Sequence, residues 1–181
     1  MNNNHAFRFE FNEKRSLAAF LIATKSSQWD IYDNVSYRRI MNLLYFIDKT
    51  FLEKCNRSFT GTVYYPESSG VMSYEIMNSL LDTDNQKTHS YAISKYDINC
   101  SSDHFDIYRR DIGSNDDFEL VARTYEAFKN FPPWYLSQIA KDDAWKKAKD
   151  RGDFIRFEDI ATLLENEDSL KKMFSDIKKT K

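Results

Sequence analysis

Asp103, His104 and Asp106 are the residues of this chain best equipped to move protons: two carboxylates flank an imidazole, a minimal acid–base cluster for a small hydrolase. Chemistry needing more than that finds little support. His5, His89 and His104 stand apart, and no His or Cys pair has the short spacing of a zinc site. Asp82-Thr-Asp84 opens like a calcium loop, but Lys87 stands where the sharp turn needs Gly and Ile93 where a bidentate Glu belongs. Gly61, Gly70, Gly113 and Gly152 are solitary, so no glycine-rich phosphate loop exists, and Ser68-Ser69-Gly70 lacks the form of a nucleophile elbow. Lys146, Lys147, Lys149 and Arg151 form a basic run that suits phosphate contact or a solvated helix face. The sequence therefore predicts no catalytic residue, no metal and no cofactor. A hydrolase built on Asp103, His104 and Asp106, or a nucleic-acid-binding regulator built on 146–151, remains the rival reading.

Aromatic side chains offer a different chemistry, recognition of another protein. Tyr64-Tyr65 and Trp134-Tyr135 lie in segments bordered by turns, where rigid amphipathic rings suit an interface as well as a core. The partner-binding expectation is a surface made by the hairpin-like segment from Tyr64 and Tyr65 to Ser73, joined by the Trp134-Tyr135 corner.

These residues must be held by helices. The run Ile40-Met-Asn-Leu-Leu-Tyr-Phe-Ile-Asp-Lys-Thr-Phe-Leu-Glu-Lys54 is apolar around most of a helical circumference, so it has to be packed on several sides at once. It predicts a central helix, with Ile40, Leu44, Tyr45, Ile47 and Phe51 in the core beside Trp145. A first helix from Glu13 to Lys25 precedes it, and a third is expected over Tyr74 to Leu81. Between them, residues 56–66 mix turn chemistry with β-branched and aromatic residues and predict a short extended segment. Residues 90–98 and 104–112 are β-prone runs around a polar cluster, which predicts a small β-hairpin insertion near 90–112. Helical period returns from Asp116, with Ser114 or Asn115 as cap and Pro132-Pro133 as terminator. Short helices over Trp134 to Ala140 and Asp143 to Lys149 follow, then a last helix over about 157–178 that breaks near Asn166.

Composition agrees with a mainly α fold, a single-domain helical bundle over 1–181 around a buried central helix. Fourteen Phe, 11 Tyr and 3 Trp supply the burial a disordered chain lacks, while 4 Gly and 3 Pro are too few for a many-turned sandwich. A net charge of -2 gives no field to recruit nucleic acid or an anionic membrane. Cys55 and Cys100 read as reduced thiols, and neither an export signal nor an eighteen-residue apolar window is present, which predicts a cytoplasmic protein.

Taken in order, several segments resemble one family. They are Leu17-Ala-Ala-Phe-Leu-Ile22, Arg39 to Asp48 with Phe51-Leu-Glu-Lys54, Phe59-Thr-Gly-Thr62 with Tyr64, Ser69 to Ile76, Trp134 to Ile139 and Ala144 to Ala148. The set, spanning about 17–148, is similar to the Panacea domain of SocA-like and GepA-like antitoxins. Two departures are local: the family usually has tyrosine-glycine-proline where Ser69-Gly70-Val71 stands, and often a histidine where Lys141 stands. The resemblance implies an antitoxin, not an enzyme, that binds and neutralises a cognate toxin and, in SocA-like members, delivers it to a cellular protease.

Overall fold

In a computed structural model, which describes residues 6–25, 37–81 and 111–179, the helix running through residues 40–54 is the axis around which the other elements pack. The described residues form helices α1 (Glu13–Lys25), α2 (Tyr37–Cys55), α3 (Tyr74–Leu81), α4 (Asn115–Phe128), α5 (Pro133–Ala140), α6 (Asp143–Arg151), α7 (Phe157–Ala161) and α8 (Glu167–Lys179). One antiparallel pair, β1 (Tyr65–Glu67) and β2 (Gly70–Met72), completes them. The chain is mainly helical. The predicted hairpin near 90–112 lies outside the described residues, except that Asp111 and Ile112 at its end are helical.

Every residue from 39 to 48 of α2 is buried, because α1, α4, α5, α7 and β2 surround the helix. Ile40, Leu44, Tyr45, Ile47 and Phe51 are at most 1% exposed and Trp145 is 7% exposed. Burying each such side chain contributes about 1.5 to 3 kcal/mol, which makes α2 the largest single source of apolar stabilisation. The helix stops at Asn56, whose φ of 52° is the left-handed conformation Asn tolerates after a last helical turn. Asn166, from the link between α7 and α8, donates its amide to the Leu52 carbonyl at 2.9 Å and so satisfies one of the acceptors that turn leaves open.

The other helix ends follow their capping residues. Asn12 caps α1 by accepting from the Arg15 amide at 3.0 Å, and Ser114 caps α4 by accepting from Asp117 at 3.1 Å. Asp142 caps α6, which runs two residues past its predicted end to Arg151 and closes on Gly152 at a φ of 65°. Helix α4 ends at Phe128, four residues before Pro132. The prolines instead open α5, where Pro133 takes the first helical position and has no amide to leave unpaired.

An amino-terminal arm precedes α1. Along residues 6–12 the side chains alternate between half-buried and exposed from Phe7 onward, as an extended segment lying on a surface requires. Phe7 and Phe9 reach the carboxy-terminal helices: the Phe7 ring lies 4.8 Å from Phe174, and Phe9 lies 4.8 Å from Phe157. The Phe7 amide donates to Glu158 at 2.9 Å.

Candidate partner-binding surface

Two polar anchors fix the loop after α2 and the hairpin that follows it. The first surrounds Asp48, which is fully buried on α2. Its Oδ1 accepts from Ser58 Oγ at 2.6 Å, Phe59 N at 2.7 Å and Thr60 N at 2.9 Å. Its Oδ2 accepts from Tyr64 Oη at 2.7 Å and from Thr60 Oγ1. The amides of Gly61 and Thr62 in turn donate to Ser58 Oγ and Thr60 Oγ1, which directs both hydroxyl protons toward the carboxylate. Burial pushes the Asp48 carboxyl above its usual range, while these donors pull the other way. With both oxygens saturated by five donors, Asp48 has no open position for a substrate or a metal. It ties the loop after α2 into the core.

The second anchor seats the hairpin. Asn42 on α2 accepts from Val71 N at 3.0 Å and donates to the Ser69 carbonyl at 3.2 Å, and Trp145 Nε1 donates to the Gly70 carbonyl at 2.6 Å. The hairpin register pairs Tyr65 with Met72, Pro66 with Val71 and Glu67 with Gly70. Val71 uses its amide here, a bond that the proline usual in the resembled family could not make. Tyr45 hydrogen-bonds Asp142 at 3.0 Å and Lys49 pairs with the same carboxylate at 2.7 Å, fixing the start of α6 beneath the hairpin. Burial, then the Asp142 charge, drives the Tyr45 phenol well above its ordinary range, so it serves as a neutral donor.

The expected binding residues fall into two groups. Tyr64 is 1% exposed, its hydroxyl held by Asp48, and Ser73 is fully buried, capping α3 through the Ile76 amide at 3.2 Å and meeting Thr62 Oγ1 at 2.5 Å. Neither presents a surface. The reason is alternation: in extended chain, adjacent Tyr64 and Tyr65 point to opposite sides, and only the second faces outward. Tyr65 is half-buried against Tyr74 at a ring separation of 4.9 Å. Trp134 and Tyr135 are exposed, at 68% and 39%.

Two further exposed rings escaped sequence reasoning. Phe131 and Tyr74 are exposed, and with Trp134 and Tyr135 they make up the large exposed hydrophobics among the described residues. Phe131 packs against Tyr135 at 5.0 Å, and Tyr135 against Trp134 at 5.7 Å. Phe128 continues the series inward, 6.0 Å from Phe131 and stacked on buried Phe46 at 4.4 Å. The signal for Phe131 was its position just before Pro132-Pro133, where no helix can bury it on a regular face. Tyr74 follows the capping Ser73 and lies over the hairpin, its ring 4.9 Å from Tyr65 and its hydroxyl donating to Glu67 at 3.4 Å.

The rival sites differ in what can be said of them. Asp103, His104 and Asp106 lie outside the described residues. In the basic run, Lys146 pairs with Asp143 at 2.7 Å and Arg151 with Asp159 at 2.6 Å. Lys147 reaches Thr162 at 3.3 Å and Lys149 lies over the Trp145 ring at 4.8 Å. Each of these four cations has an internal partner.

In a family comparison, residues 40–146 match the antitoxin SocA-like Panacea domain. The chain belongs to that family. The Panacea match takes in α2 from Ile40 onward, the loop that binds Asp48, the hairpin, the exposed corner and the start of α6. The amino-terminal arm, α7 and α8 fall outside it. Neither a curated protein nor a solved structure gives a significant match to this Panacea chain. The family is antitoxin-like, which points to a toxin–antitoxin role, and no described helix is long and apolar enough to cross a membrane.

Proposed function

We propose that this chain is the antitoxin of a toxin–antitoxin pair, acting in the cytoplasm by stoichiometric binding to its toxin. The toxin seats on the corner formed by Phe131, Trp134 and Tyr135, with Tyr65 and Tyr74 as a second contact. One observation carries this reading: among the described residues, three of the four exposed large aromatics lie on one turn and the helix after it, while the buried Asp48 carboxylate is closed on itself. Rigid rings lose little entropy when covered, and a few of them can supply most of the affinity of an interface.

The test is co-expression with the product of the adjacent reading frame. If that product arrests growth alone and this chain restores growth, the pairing holds. Trp134→Ala with Tyr135→Ala should then abolish rescue at unchanged protein level and near-unchanged melting temperature. Rescue by the double variant would remove the corner as the binding surface, and no arrest or binding by the adjacent product would remove the pairing itself. Following toxin abundance in the same cells separates neutralisation by occupancy, which leaves its level steady, from delivery to a protease, which lowers it.

A further inference from the structure

We propose that Arg39 is the positioning residue of the exposed aromatic corner. It acts from inside the protein by clamping the turn that carries Phe131 and opens α5. The proposal rests on the corner being the partner surface.

Helix α4 ends at Phe128, and the chain then has to pass through Lys129, Asn130 and Phe131 before Pro132 fixes its direction. Carbonyls of such a stretch have no helical partner. Arg39, 4% exposed on α2, reaches across the interface: its Nη1 donates to the Phe131 carbonyl at 2.9 Å and its Nη2 to the Lys129 carbonyl. Its planar fork therefore holds two carbonyls two residues apart, a geometry that a lysine ammonium cannot reproduce. Seven residues along the same face of α2, Phe46 stacks on Phe128 at 4.4 Å with the rings 10° from parallel. Helix α2 thus grips both sides of the bend, one by charge and one by a ring.

The remaining freedom is removed from the other side. The amides of Tyr135 and Leu136 donate to the Pro132 carbonyl at 3.0 and 3.1 Å, and Leu136 is fully buried. Trp134 and Tyr135 are consequently carried out to solvent on a backbone whose course is set at both ends. Exposed rings held this way meet a partner without an ordering cost, which is how preorganisation raises affinity. Burial lowers the affinity of the Arg39 guanidinium for its proton, but arginine remains a cation, and its charge strengthens both bonds to the carbonyls.

Arg39→Met and Arg39→Lys, each alone and combined with Trp134→Ala, test this in the full chain. Amide hydrogen exchange of the free protein is the first readout. Exchange at Phe131, Trp134 and Tyr135 should quicken by about tenfold in Arg39→Met while Leu43 and Leu44 on α2 keep their protection. Arg39→Lys should fall between the two. Unchanged exchange at the corner, or equal loss of protection along α2, overturns the clamp. Titration against the product of the adjacent reading frame is the second readout. Arg39→Met should weaken binding by about tenfold in the native background and much less once Trp134 is already Ala, because both changes remove one preorganised surface. Additive losses overturn the proposal. If Trp134→Ala alone leaves binding unchanged, the surface reading fails, and the exchange measurement still decides whether Arg39 orders the turn.

Discussion

The side chain of Asn42 occupies the space that any side chain at position 70 would need: a Cβ built on Gly70 would lie 2.1 Å from Asn42 Oδ1. Gly70 also has a φ of 111°, outside the range other residues adopt readily. Helix α2 and the hairpin therefore touch backbone to amide, and the hairpin cannot be lifted off without losing the bonds to Ser69 and Val71.

Gly70→Ala should destabilise the protein by about 3 kcal/mol, combining the conformational cost at positive φ with the overlap on Asn42. Urea denaturation measures it. Adding Asn42→Ala removes the overlap but also two hydrogen bonds, so the double variant should be more stable than the sum of the single losses predicts. Simple additivity would mean that the two residues do not share this contact.

Asp48→Asn should cost about 2 to 4 kcal/mol, since an amide brings two donors into a site already lined with five. The loss should also vary with pH. Burial raises the Asp48 carboxyl in the folded chain, so between the ordinary carboxylate value and that raised value the folded state holds more protons than the unfolded one. The contribution is complete below this interval and declines as pH rises through it. Denaturant midpoints across acidic to neutral pH should show the difference between the native chain and Asp48→Asn shrinking upward; a difference growing with pH would show that the donors outweigh burial.

Leu44→Asp should prevent cooperative folding. The position is fully buried in a helix enclosed by α1, α4, α5, α7 and β2, and an unpaired carboxylate there costs several kcal/mol. Circular dichroism on heating checks this, and a sharp transition near that of the parent would contradict it.

Adjacent tyrosines and a distant one should separate stability from recognition. Tyr64→Phe removes one donor from Asp48 and should lower stability by about 1 to 2 kcal/mol without altering the affinity of folded protein for its partner. Tyr135→Ala, and more weakly Tyr65→Ala, should lower affinity by about 1 to 3 kcal/mol with little change in melting temperature. Calorimetric titration beside a melting curve distinguishes them.

Much of this fold could be read from residue order. Helix α2 was legible because its apolar residues cover most of its circumference, and α1 because its apolar stripe ends at polar residues. The break near Asn166 was expected, and Asn166 proves to reach back to the end of α2. Asp48 was not legible. A charged residue between Ile47 and Lys49 reads as one of several polar positions on a mostly apolar helix, and nothing in its spacing announces five donors from residues 58–64. For the same reason Tyr64 could not be told from Tyr65: their neighbours are alike, and only the Asp48 hydrogen bond decides which ring turns inward. Arg39 was invisible as a clamp because its acceptors are backbone carbonyls 90 and 92 residues away, which carry no sequence signature.

The arm that joins Phe7 to Phe174 sets an order on how this protein comes into being. Its seat is built from Phe157, Glu158 and Phe174, so the arm is synthesised well before the residues that receive it. Until α7 and α8 have been translated, Phe7 and Phe9 lack the rings they pack on, and contacts this distant in sequence form late in folding. A chain interrupted before α7 would thus carry the Panacea segment but leave Phe7 and Phe9 without their seat, a mark by which cellular quality control could tell unfinished copies from finished ones.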